Sequence, residues 1–122
     1  MNKEIKQIMD VLSTIKISNT LYETQIHQEI KKALLDRGIN FRHEYKILTR
    51  KRFDFWINGI VLEVKKRKPV KISLLNQLNR YTKVPAVKAI IVVLERSIDL
   101  PKSMNEKPIF VKSLNQNWGL AI

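Results

Sequence analysis

Two carboxylates and a lysine have the types and spacing that metal-assisted chemistry requires. Asp54 stands in the segment Arg-Phe-Asp-Phe, and Glu63 and Lys65 stand in Leu-Glu-Val-Lys. Carboxylate oxygens bind Mg²⁺ or Mn²⁺ at about 2.0 to 2.1 Å. An ammonium group two residues from one carboxylate can contact an attacking water or a developing negative charge. The three residues are therefore candidates for hydrolysis of a phosphate ester.

The turn between these segments predicts how the carboxylates are arranged. Asn58-Gly59 is the strongest short signal for a two-residue β-hairpin. Such a hairpin places Asp54 directly opposite Glu63, with Arg52 and Lys65 on the same face. Two opposed carboxylates repel each other, and a divalent cation would relieve the repulsion. The alternative is an exposed lattice of charges without a metal.

Two helical segments carry polar residues within their apolar stripes. Glu23 lies three residues before Ile26, at the spacing of one helix face, so we expect it to point inward. Gln77 lies in the same way between Leu74 and Tyr81. Each could instead satisfy a buried structural group.

The two histidines give a weaker signal. His27 follows Glu23 by one helical turn and could approach the site. For His27 and His43 alike we expect ordinary packing or surface positions.

These residues together resemble the PD-(D/E)XK nuclease superfamily. The resemblance covers residues 20–95, about three fifths of the chain, and rests on Asp54 followed by Glu63-x-Lys65. Phe53 replaces the proline of the family name. Glu23 looks like the first-helix glutamate of many members. Gln77-x-x-x-Tyr81 is similar to a motif of the RecB-like branch.

The resemblance implies a set of roles. A Mg²⁺ ion, which Mn²⁺ could replace, would be held by Asp54, Glu63, the backbone carbonyl of Val64 and Glu23. Lys65 would position water for in-line attack on a DNA phosphodiester, leaving a 5′-phosphate and a 3′-hydroxyl. Gln77 and Tyr81 would brace the site or contact the DNA backbone.

The expected activity is that of a DNA endonuclease, and its substrate stays open. The size and layout resemble archaeal Holliday-junction resolvases, which are dimeric, so a homodimer is one expectation. A RecB-like exonuclease or flap nuclease is the alternative. A non-catalytic nucleic-acid-binding module of the same fold is the competing hypothesis from another class.

Hydrophobic periodicity predicts the elements that position these residues. We expect helices at 3–15, from the caps Ser18, Asn19 or Thr20 to Arg37, and at 74–83 behind a Ser73 cap. Strands are expected at 41–48, 52–57, 60–66, 89–95 and 109–114. The predicted fold class is α/β, a restriction-endonuclease-like core of helix, three strands, helix and strand, with a mixed central sheet flanked by helices.

The predicted domain organisation is one nuclease domain over residues 1–122. Residues 1–17 form a helical extension, 20–95 the catalytic core, and 96–122 a loop and a final strand. The 122 residues are 44 % hydrophobic, which is enough for one core.

The charge balance indicates a polyanionic partner. The chain has 23 Lys and Arg against 11 Asp and Glu, a net charge of +12, and we expect DNA binding. A solvated charged surface or a membrane-surface binder is the alternative. The candidate DNA-binding residues flank the hairpin: Arg50, Lys51, Arg52, Lys66, Arg67, Lys68 and Lys71.

Cysteine usage and hydropathy bear on the compartment. The chain has no cysteine, so disulfides, thiolate metal sites and cysteine nucleophiles are excluded. Its longest apolar run, 89–94, is far shorter than the roughly 18 residues of a membrane span, and no signal-peptide pattern begins the sequence. We expect no membrane partner and a cytoplasmic protein, or a phage protein acting in the host cytoplasm.

Overall fold

A computed structural model describes residues 2–16, 22–48, 51–66 and 68–114 of the chain. The predicted caps Ser18, Asn19 and Thr20 and the basic residues Arg50 and Arg67 lie outside the described residues, as does the side chain of Lys51. Within those ranges, no helix is long and apolar enough to cross a membrane.

Three helices and six strands alternate through the described residues. In chain order they are α1 (Lys3–Leu12), α2 (Glu23–Asp36), β1 (Arg42–Leu48), β2 (Lys51–Ile57), β3 (Ile60–Lys65), α3 (Lys71–Thr82), β4 (Ala89–Leu94), β5 (Ser103–Met104) and β6 (Lys107–Ser113). The strands form one sheet in the order β1-β2-β3-β4-β6-β5. The predicted α/β class is therefore confirmed. The two-residue β5 has no equivalent in the prediction, because two residues show no periodicity.

The sheet is mixed, as predicted. Strands β1, β2 and β3 pair antiparallel, whereas β3 with β4 and β4 with β6 pair parallel. Parallel neighbours need a crossover, which α3 supplies between β3 and β4. The final strand of segment 96–122 pairs with β4 of the predicted core, so both segments share this sheet.

Two apolar layers hold the helices on opposite faces of the sheet. One face packs against α1 and α2, with Phe55, Leu62 and Ile91 among its buried residues. The other packs against α3 and includes Phe53, Val61 and Ile90. Burial on both faces explains the unbroken apolar run of β4.

Helix α2 begins later than the sequence suggests and ends where predicted. Tyr22 is its N-cap, and the Tyr22 N–H donates to Gln25 Oε1 at 2.6 Å, so a start just after residues 18–20 is wrong. At the other end, Gly38 takes a φ of +68°. The N–H groups of Gly38 and Ile39 donate back into the last turn at 3.0 Å, a Schellman arrangement.

The other two helices also differ from the prediction at one end. Helix α3 begins at Lys71 rather than after Ser73, because Val70 is extended and can serve as the N-cap directly behind Pro69. Helix α1 ends at Leu12 rather than at residue 15. Past Leu12, the Thr14 hydroxyl donates to the Val11 carbonyl at 2.7 Å and competes with a further helical turn.

The hairpin register is confirmed close to the turn. Phe55 pairs with Leu62 and Ile57 with Ile60, as the two-residue loop requires. Asn58 and Gly59 have φ values of +48° and +90°, the signs of a type I′ turn. The ladder between β2 and β3 stops before Asp54, so the predicted direct pairing of Asp54 with Glu63 is not formed.

Strand β2 changes its side-chain phase at Asp54. Strict alternation would put Phe53 and Phe55 in one layer, but they lie in opposite layers of the core. Phe53 packs on Tyr81 of α3, with ring centroids 4.8 Å apart, and Phe55 lies 5.4 Å from the ring of His27 on α2. The β1–β2 ladder skips Asp54 and its opposite residue Glu44, which has a φ of +53°. This irregularity interrupts the pleat.

Candidate metal and active site

The candidate site lies where β2, β3, α2 and α3 meet. Glu63 on β3 contacts Gln77 on α3, whereas Asp54 on β2 approaches His27 on α2. The two carboxylates thus contact helices of opposite layers, and the expectation of one shared strand face is wrong. Asp54 still raises the pKa of Glu63 through its charge, so the two groups interact electrostatically.

Glu63 is a buried carboxylate with one unsatisfied oxygen. Only 4 % of the residue is exposed. Its Oε2 accepts from Gln77 Nε2 at 2.9 Å and lies 3.2 Å from Lys65 Nζ. Its Oε1 is buried with no hydrogen-bond partner among the described residues. Burial, followed by the charge of Asp54, raises the pKa of Glu63 to about 7, while Lys65 and Gln77 oppose that rise.

A short chain of hydrogen bonds holds this carboxylate in place. Gln77 Nε2 donates both to Glu63 and, at 3.0 Å, to the hydroxyl of Tyr81. That hydroxyl donates to the backbone carbonyl of Arg52 at 3.3 Å. Burial, then the Glu63 charge, raises the pKa of Tyr81 to about 12, so the phenol keeps its proton. Gln77 points inward, as its position on the helix stripe predicts.

The carboxylate of Asp54 points toward the adjacent strand β3. Its Oδ2 accepts the Val64 N–H at 2.8 Å and lies 3.9 Å from His27 Nε2. The break in the ladders around Asp54 makes this contact possible, because the backbone there is not paired with either neighbour. The bond to Val64 fixes Asp54 beside the strand that carries Glu63.

A second group of possible ligands surrounds Asp54. Ligand atoms of Glu23, His27 and Asp54 all lie within 4.8 Å of one another. Glu23 Oε1 lies 4.0 Å from His27 Nε2, across one helical turn. The expectation that Glu23 is buried is wrong, because its side chain is 52 % exposed at the first residue of α2. It nevertheless reaches the group.

His27 approaches the candidate site, although an ordinary packing or surface position was the stronger expectation for it. Its Nδ1 lies 2.8 Å from His43 Nε2, and both rings pack on Phe55. Burial, then His27, lowers the pKa of His43. When the shared proton is on His27 Nδ1, the His27 Nε2 lone pair faces Asp54 and Glu23. The four-residue spacing from Glu23 was the available signal.

The predicted basic residues have different environments. Lys66 Nζ donates to Glu95 Oε2 at 2.6 Å in a pair that is mostly shielded from solvent. Arg52 Nη1 lies 3.8 Å from Glu44 Oε2, with both side chains at least half exposed. Lys68 and Lys71 are exposed. Glu95 directly follows β4 and Lys66 directly follows β3, so their contact depends on a parallel pairing of these strands that the sequence does not reveal.

Comparison of the chain with family models, curated proteins and solved structures finds no match. The class of protein defined by fold alone is α/β, with a six-stranded mixed sheet between helical layers. The function is therefore argued from the geometry of the site.

Proposed function

We propose that this protein is a metal-dependent DNA nuclease with a restriction-endonuclease-like core formed by α2, β1, β2, β3, α3 and β4. The observation that carries the proposal is the buried, unpartnered Oε1 of Glu63. A buried carboxylate oxygen without a partner is costly, and a cation would offset that cost. The negative charge of the neighbouring Asp54 adds to this cost, because it raises the pKa of Glu63. A cation would offset that repulsion as well.

The residues present offer ligands for a divalent cation in two adjoining groups. Glu23, His27 and Asp54 form one group, with ligand atoms within 4.8 Å of one another. Glu63, which interacts electrostatically with Asp54, forms the other. Asp54, Glu63, the Val64 carbonyl and Glu23 offer the oxygen ligands that Mg²⁺ prefers, and His27 adds a nitrogen that suits Mn²⁺. When bound, the cation would neutralise phosphate charge and lower the pKa of a coordinated water.

The protein side chains have distinct roles in this proposal. Lys65, 3.2 Å from Glu63, would orient the attacking water and stabilise charge developing on the phosphate. Gln77 orients the Glu63 carboxylate, and the neutral Tyr81 anchors Gln77 to the backbone of β2. The product would carry a 5′-phosphate, with the 3′-hydroxyl as the leaving group.

The net charge of +12 supports DNA as the polyanionic substrate. A structure-specific endonuclease that acts as a homodimer on four-way junctions is the first candidate within the class. A RecB-like exonuclease or flap nuclease is the second, and the hydrogen bond between Gln77 and Tyr81 favours it. A cytoplasmic or phage setting suits either activity.

Cleavage assays test the proposal directly. The protein is incubated with Mg²⁺ or Mn²⁺ and labelled DNA that is linear, circular, single-stranded, flapped or four-way. We expect metal-dependent cuts bearing 5′-phosphates. Glu63→Gln should lower the rate at least about a thousandfold, because it removes a charged ligand, whereas Glu29→Gln, at an exposed position of α2, should not.

Two outcomes contradict the assignment. Cleavage by Glu63→Gln at the rate of the unmodified protein would show that Glu63 is not in the active site. A non-catalytic binding module would cut no substrate and gain no thermal stability from Mn²⁺. An enzyme should gain such stability and lose that gain on Asp54→Asn.

A further inference from the structure

A groove of about 320 Å³ opens directly beside the candidate site. Lys65 and Gln77 are among its lining residues, and both also contact Glu63, at 3.2 and 2.9 Å. The groove therefore adjoins Glu63 through these two side chains, although the buried Glu63 does not itself line it. A ligand in the groove would lie next to the reacting phosphate.

The walls of the groove differ in chemistry. Pro69 and Val70 supply an apolar edge, and Val70 is 67 % exposed. Ser73, Gln77 and Arg80 follow one face of α3 at helical spacing and supply the polar wall. An apolar edge facing a wall with a cation matches a nucleotide, which joins a flat base to an anionic phosphate.

The charge of the groove sets it apart from two others in the described part of the chain. Lys65 and Arg80 line it, and no acidic residue does. A groove between α1 and α2 has Glu29 and Asp36 in its walls, and a groove near the β-hairpin turn has Glu4. An anionic ligand suits the groove beside Lys65 better than either of these.

We propose that this groove binds one unpaired nucleotide of the DNA strand that is cut, so that the substrate is a single-stranded end or flap, the second of the two candidates above, rather than a four-way junction. The volume lies at the lower limit of small-ligand sites, too small for a base pair with its two backbones. The base packs on Pro69 and Val70, and its phosphate lies between Lys65 and Arg80. The inference rests on the proposed function, because it takes Glu63 to mark the scissile bond.

Binding measured without metal tests the groove separately from catalysis. Fluorescence anisotropy in EDTA compares one labelled sequence as a single strand, a flapped duplex and a blunt duplex. We expect the single strand and the flap to bind at least about tenfold more tightly than the blunt duplex. Packing of one base against a protein surface gives an affinity difference of about this size.

Matched variants assign that preference to the groove. Val70→Ser should reduce the preference at least threefold, whereas Ile72→Ser should not, although Ile72 is equally exposed at 68 % and lies outside the groove. Arg80→Gln should lower the slope of log affinity against log salt by about 0.7 for the single strand, because the substitution removes one phosphate contact. Arg37→Gln, at the far end of α2, should leave that slope unchanged.

Equal or tighter binding of the blunt duplex would overturn the inference. It would also be overturned if Val70→Ser behaved like Ile72→Ser and Arg80→Gln behaved like Arg37→Gln. Parallel cleavage assays in Mn²⁺ keep the two proposals apart. A preference that depends on Val70 and Arg80, without any cleavage, supports the groove and refutes the nuclease. Cleavage without that preference supports the nuclease and refutes the groove.

Discussion

At the scale of single residues, Glu63 is the buried carboxylate of the candidate site. The fold buries this carboxylate, orients one of its oxygens with Gln77 and Lys65, and leaves the other without a hydrogen bond. The sequence predicts that Glu63 and Lys65 lie close together, because Glu-x-Lys after an Asn-Gly turn is a local pattern, and the two side chains lie 3.2 Å apart. It could not reveal the depth of burial, which depends on the packing of α3 over β3.

The raised pKa of Glu63 predicts how metal-free stability depends on pH. A folded-state pKa of about 7, above the ordinary 4.5, means that Glu63 contributes stability below pH 4.5 and loses it as the pH rises through 7. Urea unfolding in EDTA should show a free energy of unfolding that falls by up to about 3 kcal/mol across this window relative to Glu63→Gln.

The difference between the two proteins isolates Glu63 from the other titrating groups. Mn²⁺ should restore the lost stability of the unmodified protein at pH 7.5, because the metal binds the ionised carboxylate. Parallel pH profiles for the protein and Glu63→Gln would contradict the burial argument.

His27 predicts a difference between metals. Because imidazole nitrogen favours Mn²⁺ over Mg²⁺, His27→Ala should weaken Mn²⁺ binding at least about tenfold and weaken Mg²⁺ binding less. Titration calorimetry measures both affinities. His43→Gln, which replaces the partner of His27 Nδ1 and leaves the other His27 nitrogen in place, should have a smaller effect on Mn²⁺. An unchanged Mn²⁺ affinity in His27→Ala would remove His27 from the ligand set.

At the scale of elements, local signals predicted the hairpin and the strands well. The Asn-Gly turn fixed the register near residues 57 and 60, and the apolar run of β4 matched its bounds almost to the residue. The phase change at Asp54 could not be predicted, because it accompanies a positive φ at Glu44 in the neighbouring strand that no sequence pattern indicates. The start of α2 was misplaced because three capping residue types stand just before it.

The hairpin turn predicts the effect of a single methyl group. A Cβ on Gly59 would lie 2.9 Å from the Lys88 side chain and 3.1 Å from the Ala86 carbonyl, at a φ of +90°. Gly38 also has a positive φ, but a Cβ there would meet nothing within 4 Å. Gly59→Ala should therefore lower the free energy of unfolding by about 2 kcal/mol and Gly38→Ala by about 1 kcal/mol.

Urea unfolding of the two variants measures both values. The additional loss of stability in Gly59→Ala measures the contact between the turn and residues 86–88. In that contact, the Lys88 N–H donates to the Gly59 carbonyl at 2.8 Å. Equal losses in the two variants would show that this contact is too loose to matter.

At the scale of the whole molecule, composition predicts the size of the core and the charge of the partner, but it does not show which charged side chains form ion pairs with each other. A chain of 122 residues with a net charge of +12 indicated one core and an anionic partner. It did not reveal that Lys66 is paired with Glu95, a contact between the residues that directly follow two parallel strands. Formal charge therefore overstates the basic surface near the site, where Lys68 and Lys71 stay exposed.

The phase change at Asp54 has a consequence for protein engineering. A regular strand carrying Arg-Phe-Asp-Phe would turn both phenylalanines toward one side of a sheet and the acid toward the other. Here the irregular backbone of Glu44 in β1 accompanies the split of those aromatic rings between two layers. Anyone transplanting this site into a designed scaffold must move β1 and β2 together, as one cassette, to keep the acid in position.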